Sequence, residues 1–455
     1  MTMTQPKITV TFRELAASAI ARGERGIIAM ILKSDTAAIQ GGFSFNKATE
    51  VPSTFDTTLK KQIADAFIGY VNPPRRVLGF ILPASDYTYT VATPGECDNP
   101  KTEGWYELSG DSDYVLSQDT IAKYGVTYYE EDGGEYSAVA SVNYADNPST
   151  SSWYELVNGV YTASSDTYPV TGKTYYTKSS SKSNVTDYTP AYTYLSGINW
   201  QYLVVPTVAT DGTASSVVAY IKDLRGDGNL VKAVLPNTNA DHEAIINVTT
   251  AAFVEDETTY TAAQYCARIA GIIAGTPLTM SATYAPLNEL TDCTHLSKTQ
   301  ADAAANAGQF IALWDGEKVK MGRAINSLVT TTAEKNTQFQ KIKIVDAMDM
   351  ISTDIRKTCE DKYIGKYPNT FSNKLSLITA ISAYFDGLQL DTVIDGYTIG
   401  IDIDANETYL KGRGVDTSDM SDDEIEQANT GSNVFLVATL SMVDAIEDIT
   451  LKISI

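Results

Sequence analysis

The residues that could do chemistry are few and badly spaced for it. The chain has two histidines, His242 and His295, and no local spacing pairs either with a serine or cysteine to give a nucleophile and its base. Each reads as an ordinary surface or turn residue. The four cysteines, Cys97, Cys266, Cys293 and Cys359, lie far apart without a C-x-x-C, which argues against both a zinc site and a disulfide framework. Asp402-x-Asp404-x-Asn406 opens like a calcium loop, but Glu407 replaces the turn glycine and Arg413 stands where a bidentate glutamate is needed. Arg225-Gly226-Asp227 falls where a helix must turn into a strand, and a turn explains it. Asn184-Val185-Thr186 and Asn247-Val248-Thr249 fit the glycan acceptor pattern, which has meaning only after secretion. There is no Walker A loop, no G-x-G-x-x-G after a strand and no G-x-S-x-G. The expectation is a protein that is not an enzyme and uses no cofactor or metal.

Bulk properties point the same way. Lysine and arginine total 34 against 56 aspartates and glutamates, a net charge of −22. Such a chain is repelled by phosphate backbones and anionic membranes, so nucleic acid is not an expected partner. Its 455 residues allow about three domains at ~150 residues each. Met1 to Lys7 offers no signal-peptide core, and the longest early apolar run, Gly26 to Leu32, is too short to span a bilayer. Assembly in the cytoplasm is expected.

The elements that would position any site alternate. A strand at Val77 to Leu82 is followed, after an interruption, by a helix near Tyr188 to Ser196 and a strand at Gln201 to Val205. A helix with Val217, Tyr220, Ile221 and Leu224 on one face leads through a Gly-Asp-Gly turn to strands at Leu230 to Leu235 and Ala244 to Thr249. Apolar strands alternating with amphipathic helices predict an at least partly parallel sheet. Tyr260 to Gly275 reads as a helix stopped by Thr276-Pro277. Phe310 to Trp314 and Lys318 to Gly322 form a hairpin through Asp315-Gly316. Long helices follow, one with Phe339, Ile342, Val345, Met348, Ile351 and Ile355 on its stripe, the other near Phe371 to Leu390, giving an α+β carboxyl-terminal part.

The interruption differs from its surroundings. Between Ala84 and Trp200 lie 17 of the chain's 28 tyrosines, with 16 acidic and 5 basic residues, a net of −11. Within it Trp105 to Glu130 recurs as Trp153 to Thr177, each copy reading as three short strands with an aromatic on every strand. Single hairpins are marginal alone, so aromatic cross-strand pairs must hold each unit. Trp105 and Trp153, with exposed tyrosines, are candidates for binding glycans or another outer surface, since flat amphipathic rings suit such contacts. Their other reading is purely structural.

Both termini alternate as half-buried strands: Ile8, Val10 and Phe12 at one end, Ile449, Leu451, Ile453 and Ile455 at the other. A lone strand must find a sheet edge, either in its own subunit or in a neighbouring copy.

Several separated motifs in one order carry a resemblance. Thr11 to Lys33 (TFRELAASAIARGERGIIAMILK), Arg268 to Tyr284 (RIAGIIAGTPLTMSATY), Arg323 to Lys335 (RAINSLVTTTAEK), Phe339 to Lys357 and Ala428 to Ile455 together resemble the tail sheath proteins of contractile phages and phage-derived bacteriocins of Gram-positive, clostridial type. The resemblance covers roughly residues 7 to 82 and 187 to 455. It implies a mixed α/β and α+β multidomain protein: an arm at 1–22, an α/β sheath domain at 23–83 plus 187–250, an all-β inserted module at 84–186, a middle region at 251–335 and a carboxyl-terminal domain at 336–455 ending in a second arm. It implies strand exchange through the terminal residues named above, and a helical homo-oligomer of stacked rings around a tail tube protein, closed by baseplate and tail terminator proteins. It also implies residence in a virion tail or tailocin particle, with no membrane insertion by the sheath itself. The inner position of the carboxyl-terminal domain in that family makes Arg356, Lys357, Lys362, Lys366 and Lys374 candidate contacts with an acidic tube. The rival reading is a cell-surface or virion adhesin whose repeats bind glycans.

Overall fold

The computed structural model describes residue 20 and residues 23–110 and 113–454. The chain divides into two compact units, one built from the segments up to Leu82 and from Thr186 onward, the other from Pro83–Val185.

A seven-stranded sheet organises the first unit. From one edge to the other its strands are Gln309–Phe310, Ile245–Val248, Lys232–Pro236, Tyr202–Val204, Ile27–Lys33, Arg76–Leu82 and Gly41–Phe45. All neighbours are parallel except the last pair. Parallel strands need crossovers that cover both faces, so their residues are apolar without alternation. Ile27 to Leu32 are all buried accordingly. Ile28, Met30 and Leu32 face a core shared with helices Thr57–Ile68 and Ala262–Ala274. Ile27, Ala29 and Ile31 face a second core under helices Thr189–Ser196 and Ala214–Gly226.

Local signals explain the helix boundaries. Ala262–Ala274 starts at a capping box, in which the Thr261 hydroxyl accepts from the Gln264 amide while the Gln264 side chain accepts from the Thr261 amide. It ends at Gly275, just before Pro277. Gly271 lets this helix lie against Thr57–Ile68, since a Cβ there would sit 2.2 Å from the Ala66 carbonyl oxygen. The hairpin Ala312–Trp314 with Val319–Met321 turns at Asp315-Gly316, and the Asp315 carboxylate accepts from the amides of Glu317 (3.1 Å) and Lys318 (3.0 Å).

The carboxyl-terminal layer packs helices Ile342–Thr358 and Phe371–Leu390 on a two-stranded antiparallel ribbon, Ile394–Ile401 with Leu436–Met442. Its core includes Ile351, Ile381, Phe385 and Leu388. Buried charges tie this layer to the parallel sheet. Arg225 forks onto Asp349 (2.9 and 2.9 Å), Lys232 reaches Asp349 (2.5 Å) and Asp346 (3.1 Å), and the Tyr202 hydroxyl donates to Asp346 (2.6 Å). Burial opposes ionisation of Asp349, but Lys232 and Arg225 outweigh it and hold its pKa below the usual value.

The second unit contains two antiparallel sheets of the same design. In the first copy the order is Asp113–Leu116, Tyr106–Ser109, Tyr128–Asp132, Glu135–Ala138; in the second it is Val160–Ala163, Trp153–Val157, Tyr175–Asn184, Ser85–Val91. Each copy thus has four strands, not the three read from its repeat. The fourth follows the repeat in the first copy and precedes it in the second. Covering the outer side of the third strand gives its amides a partner, and either neighbour in sequence can supply one.

Candidate assembly surfaces

The carboxyl-terminal arm leaves the body after the ribbon strand Leu436–Met442. Among the described residues, 443–454 form no helix or strand. Ile449, Leu451 and Ile453 are 82%, 77% and 77% exposed, which corrects the half-buried strand expected from their alternation. The pattern needs a sheet edge, and the described residues supply none there. Ile455 lies outside the described residues, as do Ile8, Val10 and Phe12. Among the described residues the ribbon has no third strand, so both of its outer edges present unpaired backbone groups.

The root of the arm, by contrast, is held. The Lys343 ammonium donates to the Val443 carbonyl oxygen (2.7 Å), and Lys341 pairs with Asp444. The Glu447 carboxylate accepts from the Thr283 hydroxyl (2.5 Å) and the Ser281 hydroxyl (3.3 Å), with Lys341 3.4 Å away. Arg323 grips Asp448 at 2.6 and 2.8 Å. The Asp448 carboxyl is held below its usual pKa chiefly by the Arg323 hydrogen bonds. Sequence reasoning singled out the stretches containing these groups but assigned none of them a role.

The basic group is dispersed. Arg356 is half-buried beside Glu360 (3.5 Å), while Lys357, Lys362 and Lys366 are exposed, Lys366 donating to the Asp361 carbonyl. Lys374 must be withdrawn from the set. It is 3% exposed, donates to the Thr430 hydroxyl (3.2 Å), and burial lowers its pKa. The cause is its place in the first turn of Phe371–Leu390, which turns it inward under the loop carrying Thr430.

Trp105 and Trp153 are also corrected as binding residues. They are 8% and 7% exposed and form the centres of their sheets, tilted on Tyr128 (5.8 Å) and Tyr175 (5.7 Å). Those tyrosines are anchored alike: Tyr128 donates to Asp119 (3.0 Å) and Tyr175 to Asp166 (2.5 Å), each accepting from a backbone amide five residues earlier. The half-buried aromatics are tyrosine tetrads. Tyr114 stacks on Tyr136 at 4.1 Å with Tyr106 and Tyr129 edge-on; Tyr161 stacks on Tyr89 at 3.9 Å with Tyr154 and Tyr176 edge-on.

The groups weighed for a calcium loop and for catalysis make structural contacts. Asp402 caps helix Ile403–Gly412 through the Ala405 amide (2.9 Å), and Asn406 donates to the Ile425 carbonyl (3.2 Å). His242 Nδ1 accepts from the Ala244 amide (3.1 Å), and His295 sits 2.7 Å from Asp292 and stacks on Trp314.

Known proteins resemble this chain over most of its length outside the inserted unit. The phage tail sheath protein central domain matches residues 181–327 and the phage tail sheath C-terminal domain matches residues 334–455. The tail sheath protein of Clostridium phage phiCD119 is 42% identical over 261 residues, 57% of this chain and 73% of that protein. The crystal structure of a sheath tail protein from Desulfitobacterium hafniense superposes with a TM-score of 0.56 at 18% identity, covering 88% of this chain and 94% of that one. The contracted helical sheath of the anti-feeding prophage gives 0.55 at 11% identity, covering 100% and 99%. With two sheath domain models in tandem over most of its length outside the inserted unit, the chain belongs to the phage tail sheath family.

Proposed function

We propose that the chain polymerises as a helical sheath of stacked rings around a tail tube, and that contraction of this polymer drives the tube through a bacterial envelope. The observation that carries this reading is the pairing of an exposed apolar arm with an open-edged ribbon. Ile449, Leu451 and Ile453, laid as a strand on the ribbon of a neighbouring copy, would bury three large side chains for roughly 5–9 kcal/mol before ordering costs. Main-chain hydrogen bonds would set the register. The bodies can then rotate while the arms stay engaged, and the work comes from new interfaces between copies, a shift between two packings of one chain. The subunit would act mechanically, with no catalytic step.

A tube protein, a baseplate and a terminator are the partners this role requires, with assembly in the host cytoplasm. Among the described residues no helix is long and apolar enough to cross a membrane. Arg356, Lys357, Lys362 and Lys366 remain the surface offered to an acidic tube. Changing Arg356 and Lys357 to glutamate is expected to weaken tube-templated assembly while leaving the subunit folded; unaltered assembly on tubes removes that contact from the model.

Negative-stain electron microscopy of the full-length chain beside one lacking Ile449 to Ile455 tests the function directly. Hollow striated tubes from the first and none from the second are expected. A full-length chain that stays monomeric at high concentration, even with a tube supplied, overturns the reading.

A further inference from the structure

Three sequence stretches far apart in the chain meet at one place. Ser281 and Thr283 come from the loop after helix Ala262–Ala274, Arg323 follows strand Val319–Met321, and Lys341 and Lys343 begin helix Ile342–Thr358. All five face residues 443–448, which follow the ribbon strand Leu436–Met442. The central and carboxyl-terminal domains thus both grip the same six residues.

The grip has a buried centre and an exposed rim. The Glu447 side chain is 6% exposed although its neighbour Ile446 is 89% exposed. One Glu447 oxygen is taken by the two hydroxyls, and the other lies 3.4 Å from Lys341 and 3.7 Å from Arg323. Thr283 is itself fixed, because its hydroxyl accepts from the Ala324 amide at 2.9 Å. A carboxylate is buried only where donors are already in place, so the pocket is organised to receive this side chain. The rim pairs, Arg323 with Asp448 and Lys341 with Asp444, lie nearer solvent and are open to screening by salt.

We propose that these residues form an electrostatic clasp that fixes the root of the carboxyl-terminal arm and so sets the length and starting direction of the strand offered to a neighbouring copy. The inference rests on the strand-addition reading above and adds to it the positioning residues Thr283, Arg323 and Lys341. With the clasp shut, residues 449–454 lie beyond it, a reach of roughly 20 Å for an extended chain. With it open, residues 444–454 can extend and the reach is roughly 36 Å. The longer tether dilutes the arm around its target, by roughly two- to threefold from the −3/2 power of length. Closure therefore favours engagement with a near neighbour in one register.

A protease that cuts after glutamate reads the clasp in the unassembled chain, because the Glu447 side chain, 6% exposed, is accessible only when residues 444–448 lift. In low salt the full-length chain is expected to resist cleavage after Glu447. Arg323→Asp with Lys341→Asp is expected to raise the cleavage rate by about tenfold or more, in line with loss of two close charge pairs and exposure of a buried carboxylate. Adding Asp448→Arg and Asp444→Lys restores the rim pairs with reversed sign and should recover part of the protection, the rest staying lost because the two new carboxylates face Glu447. Wild-type protein should be cut several-fold faster at about 1 M salt than at about 0.05 M, where the screening length grows from ~3 Å to more than 10 Å. Cleavage of the double variant within about twofold of wild type, no recovery in the charge-swapped chain, or salt-independent cleavage of wild type each overturns the clasp. Circular dichroism monitors the fold throughout. Tube formation is scored separately, and the open-clasp variant is expected to need a roughly two- to threefold higher concentration. Wild-type chains that are protected at Glu447 yet never form tubes would refute the sheath reading and leave the clasp standing; tubes formed by a chain that is cut freely would do the reverse.

Discussion

The seven-stranded sheet and the inserted unit solve the same burial problem with different residues. The sheet has helices on both faces, so its strands are unbroken aliphatic runs such as Ile27 to Leu32, and stability comes from area removed from water. Among the described residues of the inserted unit the one helix is Pro100–Glu103, too short to cover its sheets. Each is built around one tryptophan, one anchored tyrosine and a tetrad of tyrosines that cover one another. Rings bury much area per residue and carry hydroxyls that satisfy themselves at a wet surface, so a thin sheet can stand with few residues. A thick core tolerates loss at one position by sharing the strain. A thin one depends on its single tryptophan.

That contrast can be broken most sharply at the tryptophan. Trp153→Ala should cost about 3–5 kcal/mol and unfold the second copy, while amides of Ile27 to Leu32 keep their protection in hydrogen-exchange mass spectrometry. Loss of protection in the parallel sheet would mean that the two units do not fold separately. The reciprocal change, Ile63→Ala beneath the sheet, should cost about 2–5 kcal/mol and lower the melting of the first unit only, as seen by calorimetry.

Within the inserted unit the two copies can be set against each other. Tyr136→Ala and Tyr89→Ala each remove one stacked and one edge-on partner, and each should cost about 1–3 kcal/mol. Chemical denaturation that separates the two values by more than that range would show that the matched ring geometry hides unequal energetics. The smallest effect is expected in acid. Lys173 and the Tyr175 hydroxyl hold the Asp166 carboxyl below its usual value of 3.8. A depressed pKa contributes stability above the unfolded value, and that contribution fades as pH falls through the folded one. The Tyr175 environment, followed by tyrosine NMR, should therefore loosen below about pH 4, and Asp166→Asn should abolish that step.

Much of the first unit was legible because its signals are local. The helix now seen at Ala262–Ala274 carries its own cap and its own stop, and Asp315-Gly316 names its turn without outside help. The inserted repeats were visible as repeated letters. Their inner and outer faces were not, because adjacent aromatics put rings on both sides of the inner strands, and such a pattern does not say which face is the core. The fourth strand escaped for a related reason: Ser85–Val91 joins its sheet from nearly ninety residues before its partner Tyr175–Asn184. Lys374 was misplaced because a charge run in sequence does not reveal which member turns under a loop from residue 430.

By itself the sequence determined the aliphatic strands, the helix periods, the turn residues, the repeat and the family, since each is written in neighbouring residues or in the order of motifs. Only the tertiary structure decided that two tryptophans are cores, that one lysine is buried, and that Ser281, Thr283, Arg323 and Lys341 close on Glu447 and its neighbours. Contacts across more than a hundred residues cannot be read from periodicity. They exist because the folded sheet and helices bring those backbones to one spot, where a carboxylate can give up water only to donors already waiting.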